Sequence, residues 1–234
     1  MRLTVLGCNG PYPEAGGACS GYLVKAGNTR ILLECGSGSL AFLTALTEPE
    51  KIDAIVLSHL HYDHMSDILP LSFRYAMAGK TLKVYAPSAP ENVRKLLDCP
   101  AFEWCDIAKG GQIGEVKFTA APVRHPVPSY AVRFAHEGKV LCYSGDTNTC
   151  DNLALFVRDA DLFLCDACFT DAMWNENLPH LSAGKAAEIS HAAGVKRLML
   201  THFRPDIAKE TLLKDAEKVF ANVCLAQVGL KAEV

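Results

Sequence analysis

The chain has 234 residues, half of them hydrophobic, with 23 basic against 26 acidic side chains, a net charge of −3 and a pI near 6.2. That much apolar material builds a sizeable core, while the mildly acidic balance, with no run of Lys or Arg, argues against a basic groove that tracks a long polyanion. No stretch of about 18 apolar residues exists to form a membrane-spanning helix, and MRLTVLGCNG lacks the features of an export signal.

In chain order, residues 3–7 are apolar and β-branched and predict a strand, followed by the Gly- and Pro-rich loop CNGPYPEAGGACSG. Residues 21–27 and 29–36 predict two strands joined at Gly27-Asn28. A short helix is expected over 40–48. Residues 53–58, DAIVLS, form a continuous apolar run expected to be a strand buried on both faces. SHLHYDHMSD follows at once. Ser66 predicts a helix cap, with the helix reaching about Met77. Residues 82–87 predict a strand, and 89–98 a helix with Pro90 near its start.

Residues 116–147 predict three strands. Pro122, Pro126 and Pro128 confine His125 to a loop, and Gly138 turns the last pair. A helix is expected over 152–160, a strand over 161–167, and an Ala-rich helix over 182–193 with Ser182 as cap and Gly194 beyond its end. Residues 196–202 predict a strand. Pro205 opens a last helix that places Leu212, Leu213, Ala216, Val219 and Phe220 on one face. No repeat, low-complexity segment or linker interrupts this order. The expectation is one domain, 1–234, with helices covering the outer faces of two packed sheets. Ten cysteines in a chain without an export signal read as reduced, buried and cytoplasmic. Cys165 and Cys168 form a C-x-x-C with no second pair to complete a zinc knuckle, so they read as structural.

SHLHYDHMSD packs His59, His61, Asp63 and His64 into six positions. In an extended segment side chains alternate, so His59 and His61 point the same way. The chain then turns, and Asp63 and His64 enter the same space from another direction. Four donors arriving from two sides suit two adjacent cations better than one. From this composition such a pattern arises by chance in about five of ten thousand chains, too rarely for coincidence to explain it. Three later segments each put a donor just after an apolar run and beside Gly or Pro, or at a strand end: VRHPVP with His125, YSGDT with Asp146 and LTHF with His202. Together they give seven candidate metal ligands. His59, His61 and His125 would hold one metal, Asp63, His64 and His202 the other, and Asp146 would bridge.

With this set in view, the chain resembles a metallo-β-lactamase-fold hydrolase of the ribonuclease Z-like branch, and the resemblance runs nearly end to end. LGCNGPYP is similar to the family's opening strand and glycine loop. ILLECG is similar to its first motif, with Glu34 where Asp is common. SHLHYDH is the signature, and His125, SGDT and LTHF follow in family order. PHLS resembles the segment that supplies a further active-site histidine, here His180. The resemblance implies an α/β fold, a four-layer αββα sandwich, with two zinc ions at one sheet edge. Three imidazoles in the first cluster suit zinc, with Mn or Fe as alternatives.

The implied activity is metal-dependent hydrolysis by a hydroxide held between the two metals, about 3.5–4 Å apart. Asp63 would orient that hydroxide and His180 would donate a proton or stabilise the oxyanion. The tRNA-processing members carry a basic arm between the third-motif histidine and the bridging Asp. Here only 20 residues separate His125 from Asp146, and a hairpin fills them. The expected substrate is therefore a small phosphodiester or (cyclic) nucleotide, with no long nucleic acid and no membrane partner. A lactonase, thioesterase or β-lactamase-like acyl hydrolase with the same metal site is the alternative. Relatives also bring a homodimer into the expectations. Arg204 is a candidate for a substrate phosphate or a salt bridge, and Ser58 and Asp67 for imidazole orientation or capping. Tyr143 and Thr147 flank Asp146, and His136 and His191 read as surface and structural.

Overall fold

Alternation along the strands decides the layers. In β1 (Arg2–Gly7), Leu3 and Val5 face one way and Leu6 the other. The same split recurs in β2 (Gly21–Ala26) and β3 (Thr29–Cys35), where Val24, Ile31 and Leu33 oppose Leu23 and Leu32. The first set packs between two sheets. The second lies beneath α1 (Ser39–Leu46), α2 (Tyr62–Met65) and α3 (Ile68–Met77). Every residue of β4 (Ala54–Val56) is buried, as an apolar run covered on both faces requires.

The computed structural model describes residues 1–234. β1 to β4 are joined by β5 (Leu82–Ala86), β6 (Phe102–Asp106) and β14 (Lys231–Glu233) in a seven-stranded sheet of order β14-β1-β2-β3-β4-β5-β6. The second sheet contains β7 (Gly111–Ile113), β8 (Val116–Val123), β9 (Ser129–His136), β10 (Lys139–Tyr143), β11 (Leu162–Asp166), β12 (Leu198–Thr201) and β13 (Val223–Leu225). Its order is β13-β12-β11-β10-β9-β8-β7. Phe118, Phe134, Leu141 and Leu164 from this sheet meet Val24, Leu33 and Val56 from the first. Ala183, Ala186 and Ala187 of α6 (Ala183–Ala192) and Leu212 and Ala216 of α7 (Lys209–Glu217) cover it from outside. The result is the expected αββα sandwich. No helix is long and apolar enough to cross a membrane.

Several expected elements are shorter or displaced. The helix expected over 89–98 breaks into α4 (Glu91–Arg94) and a 3-10 turn over Lys95–Leu97. That over 152–160 shrinks to α5 (Leu153–Phe156). The last helix starts at Lys209 rather than Pro205, because Arg204 closes a two-bonded fork on Asp206 that holds the intervening turn. Val219 lies outside it and is exposed. Ser66 is the C-terminal cap position of α2 and does not cap the helix that follows. Asp67 precedes α3, and its carboxylate accepts the Leu40 N–H at 2.9 Å. Pro122 lies inside β8, not in the His125 loop. It is tolerated because its backbone faces the strand's open side, where its carbonyl accepts the Asn152 side chain at 2.8 Å.

The parallel strands position the site. β3, β4 and β5 run parallel in one sheet, and β10, β11 and β12 in the other. Their C-terminal ends carry Glu34, Ser58, His59, Asp146, Asp166 and His202 to one edge of the sandwich.

Candidate metal centre

The seven donors singled out from sequence meet at this edge and fall into two groups. In the first, His59 Nε2 and His125 Nε2 each lie 3.1 Å from His61 Nδ1, and His59 Nε2 lies 3.5 Å from Asp146 Oδ2. In the second, His64 Nε2 and His202 Nε2 lie 3.5 and 3.2 Å from Asp63 Oδ2, and both lie 3.2 Å from Asp146 Oδ2. Asp146 belongs to both. The local chain explains each arrival. His59 and His61 share a face of an extended segment, and the first turn of α2 brings in Asp63 and His64. Glu34 and His202 both adopt the left-handed backbone at φ +60° and +61°, which side-chain-bearing residues rarely do. Such strain gathers at functional sites.

Most imidazoles are held from behind. The Ser58 hydroxyl lies 2.9 Å from His59 Nδ1, and the Pro179 carbonyl 3.1 Å from His125 Nδ1. Glu34 Oε2 lies 3.4 Å from His64 Nδ1, while its Oε1 accepts the Ser58 N–H at 2.8 Å. Backing of this kind fixes the tautomer and aims the other nitrogen inward. Of the two flanking residues considered for this role, Ser58 fills it and Asp67 does not.

His180 stands beside the cluster, its ring 4.9 Å from that of His202 and 5.2 Å from that of His125. Its Nδ1 lies 2.8 Å from Asp166 Oδ2. Asp166 was not anticipated, although LFLCDA ends an apolar strand with an acid just as the segments carrying His125, Asp146 and His202 do.

Burial and crowding set the electrostatics. Desolvation, with the His64 charge beside it, holds His59 well below the usual imidazole range. Burial also pushes His125 down to about 4, against the pull of Asp146. Against its own burial, His64 is raised by Asp146 and Asp63. His180 is likewise raised to about 9 despite desolvation, by Asp166 and then Asp146. Asp63, although buried, is lowered by His64 and His202.

The donor set fits divalent metal. His64 Nε2 and Asp146 Oδ1 are fully buried without a hydrogen-bond partner, and unpartnered buried polar atoms are costly. Bonds of about 2.0 Å from a tetrahedral zinc put its ligand atoms about 3.3 Å apart, the spacing found here.

The remaining candidates lie elsewhere. The Arg204 guanidinium is engaged by Asp206 and sits 5.5 Å from the Phe169 ring. Thr147 Oγ1 accepts the Arg124 N–H, and the Tyr143 hydroxyl is buried without a partner. His136 lies 3.3 Å from Glu115 and is half-buried, and His191 is an exposed residue of α6. All ten cysteines are free thiols, and burial pushes Cys165 and Cys168 up, away from the thiolate form.

Comparison with known proteins places this architecture. Residues 29–203 match the family model described as Beta-lactamase superfamily domain. The chain is 33% identical to the probable metallo-hydrolase YhfI of Bacillus subtilis, over 98% of both chains. The crystal structure of YhfI superposes with a TM-score of 0.95, covering 99% of this chain and 98% of that one. A ribonuclease Z of Methanopyrus kandleri is 27% identical over all of this chain and 98% of its own length. Signature, sandwich and relatives agree: the chain belongs to the β-lactamase superfamily and is a metallo-hydrolase of the metallo-β-lactamase fold, with ribonuclease Z-like relatives.

Proposed function

We propose that this metallo-hydrolase is a phosphodiesterase of small phosphodiesters or (cyclic) nucleotides that works with two zinc ions. His59, His61 and His125 would hold one and Asp63, His64 and His202 the other, with Asp146 available to both sets. Five imidazole nitrogens in the set favour zinc over the harder Mn or Mg. When bound, the pair supplies a water acidified toward a pKa of about 7 and positive charge against oxygens that become more negative in the transition state.

The chain's own groups do the rest. Asp63 Oδ2 would serve within the donor set, leaving the other carboxylate oxygen to orient the attacking water. His180 holds its Nδ1 proton against Asp166 and presents Nε2–H to the leaving oxygen. As the P–O bond breaks, that proton passes to the alkoxide, and the imidazole is reprotonated from solvent through its 13% exposed edge. The observation that carries this reading is the His180–Asp166 pair, an imidazole whose Nδ1 lies 2.8 Å from a buried carboxylate beside the donor cluster, and whose pKa that carboxylate raises. The β9–β10 hairpin fills the span between His125 and Asp146, which supports a small substrate over a long nucleic acid.

The test is a substrate panel with zinc-loaded protein: bis-p-nitrophenyl phosphate and cyclic nucleotides against lactones, thioesters and a chromogenic cephalosporin. Turnover of the phosphodiesters is expected. Turnover confined to the acyl substrates would overturn the proposal.

A further inference from the structure

Across the outer face of the first sheet, the strand register lines up cations. β1 pairs β2 with Arg2 opposite Lys25, and β2 pairs β3 with Lys25 opposite Arg30. Like charges directly opposite on paired strands repel, yet three stand here in one row. Lys231, from β14 opposite Thr4, and Lys51 join them. The five line a groove of about 350 Å³ floored by Thr4 and Leu23 and walled by Leu46, Thr47 and Glu48.

Few acids answer this charge. Arg2 is paired with Glu233, and Lys51 with Glu48 at 3.3 Å. Asp53, at the far end of the row, accepts the Arg30 backbone N–H at 2.7 Å. No carboxylate lies within ion-pair distance of the Lys25, Arg30 or Lys231 side chains. Even with those three acids counted, the patch is net positive in a chain of net charge −3. Lys25 and Arg30 are half-buried, and Thr4 and Leu23 beneath them are buried. A concave wall of low dielectric focuses such a field.

We propose that this groove binds a small anion carrying two or more phosphate groups, at a site separate from the metal centre. The row spans three strands about 4.8 Å apart, roughly 10 Å, wider than a single phosphate. The Arg30 guanidinium, which has no carboxylate partner, offers a fork that matches phosphate oxygens bidentately. Arg30 is the second residue of β3 and Glu34 the last but one, so the groove lies roughly 13 Å along the strand from the carboxylate that backs His64.

The test titrates zinc-loaded protein with inorganic triphosphate and with orthophosphate by calorimetry, in wild type and in the Lys25→Gln/Arg30→Gln double variant. Metal chelation by the probe contributes equally to both proteins, so their difference reports the groove. The variant is expected to bind triphosphate at least about tenfold more weakly, the scale of one lost charge-assisted hydrogen bond or more. Without the probe, relief of repulsion should make it melt no lower than wild type. Orthophosphate should bind wild type at least about tenfold more weakly than triphosphate does. Lys231→Gln, on the exposed edge strand, gives a second reading with a smaller loss. Equal triphosphate affinity in wild type and both variants would overturn the proposal, as would equal affinity of wild type for the two anions.

Discussion

His180 Nδ1 lies 2.8 Å from Asp166 Oδ2, and Asp166 is itself pinned by the backbone. Oδ2 also accepts the Thr147 N–H and Oδ1 the Cys168 N–H, both at 3.1 Å. Thr147 follows Asp146 and Cys168 follows the end of β11, so one carboxylate ties the proton-bearing imidazole to two segments of the site. Buried and engaged on both oxygens, it favours a proton on Nδ1 and leaves Nε2 outside that bond.

Removing that imidazole should leave the donors intact. His180→Ala is expected to retain wild-type metal content and slow turnover by roughly 10²–10⁴-fold, the usual scale of a lost proton donor. The loss should shrink for substrates with good leaving groups such as p-nitrophenolate, which need little help. A uniform loss across leaving groups would assign His180 to binding instead.

The same pair sets a pH limit. The His180 pKa is raised to about 9, so its acid form is present below that value and activity is lost as pH rises through it. Bound cations repel the imidazolium and lower this value, so the basic limb of kcat should fall at or below about 9. Asp166→Asn removes the main raising charge and should move that limb downward by at least about one unit. A pH–rate series on the two proteins checks this. An unmoved limb would show that another group titrates there.

How far the sequence foretold this site follows from which interactions are local. The signature displays itself because His59, His61, Asp63 and His64 are near neighbours on a strand end and a helical turn. His125, Asp146 and His202 could be singled out because each follows an apolar strand-like run, the first two beside Pro and Gly. Glu34, Pro179 and Asp166 act through contacts made only in the folded state, and no local pattern reports a carbonyl aimed at a ring nitrogen. The fold divides in the same way. β4, β11 and β12 have continuous apolar runs and stand out. β7, β13 and β14 have three residues each, at or near sheet edges, and exist only by pairing with neighbours already in place. Helix α4 passes at Lys95 into a 3-10 turn that buries Leu97, and α5 ends where Val157 leaves helical geometry.

Glu34 backs His64 without touching the centre, and its effect should appear in metal affinity. Glu34→Ala leaves His64 Nδ1 and the Ser58 N–H without their carboxylate. Zinc affinity is expected to fall about 10–100-fold, as for other groups that orient a metal-binding histidine. Competition with a chromogenic chelator measures it. Glu34→Gln keeps the shape and an acceptor and should lose less; equal losses would mean that the negative charge of Glu34, and not its packing, is what supports His64.

Shared and unshared donors should separate by stoichiometry. Asp146 takes part in both groups and His61 in one. Asp146→Ala should deplete both metals and abolish hydrolysis. His61→Ala should abolish hydrolysis while retaining about half the metal, as read by elemental analysis after desalting. Full retention in Asp146→Ala would remove it from the bridging position.

Gly10 allows a test that changes no donor at all. A Cβ built there would lie 2.0 Å from His202 Nε2 and 2.3 Å from Cε1, a clash that the ring must avoid by moving. Neither partner yields easily. The Gly10 N–H is bonded to the Phe203 carbonyl at 3.0 Å, and His202 is held at φ +61°. Gly10→Ala should therefore push the His202 ring out of the donor set, lowering metal content and cutting turnover by about 10²-fold, the cost of roughly an ångström of misplacement. Gly79→Ala is the matched control. Its φ of +62° imposes backbone strain of about 1–2 kcal/mol, but nothing lies within 4 Å of the added methyl. It should melt lower and keep full activity and metal. If Gly10→Ala did no more than this control, His202 would not be required where it stands.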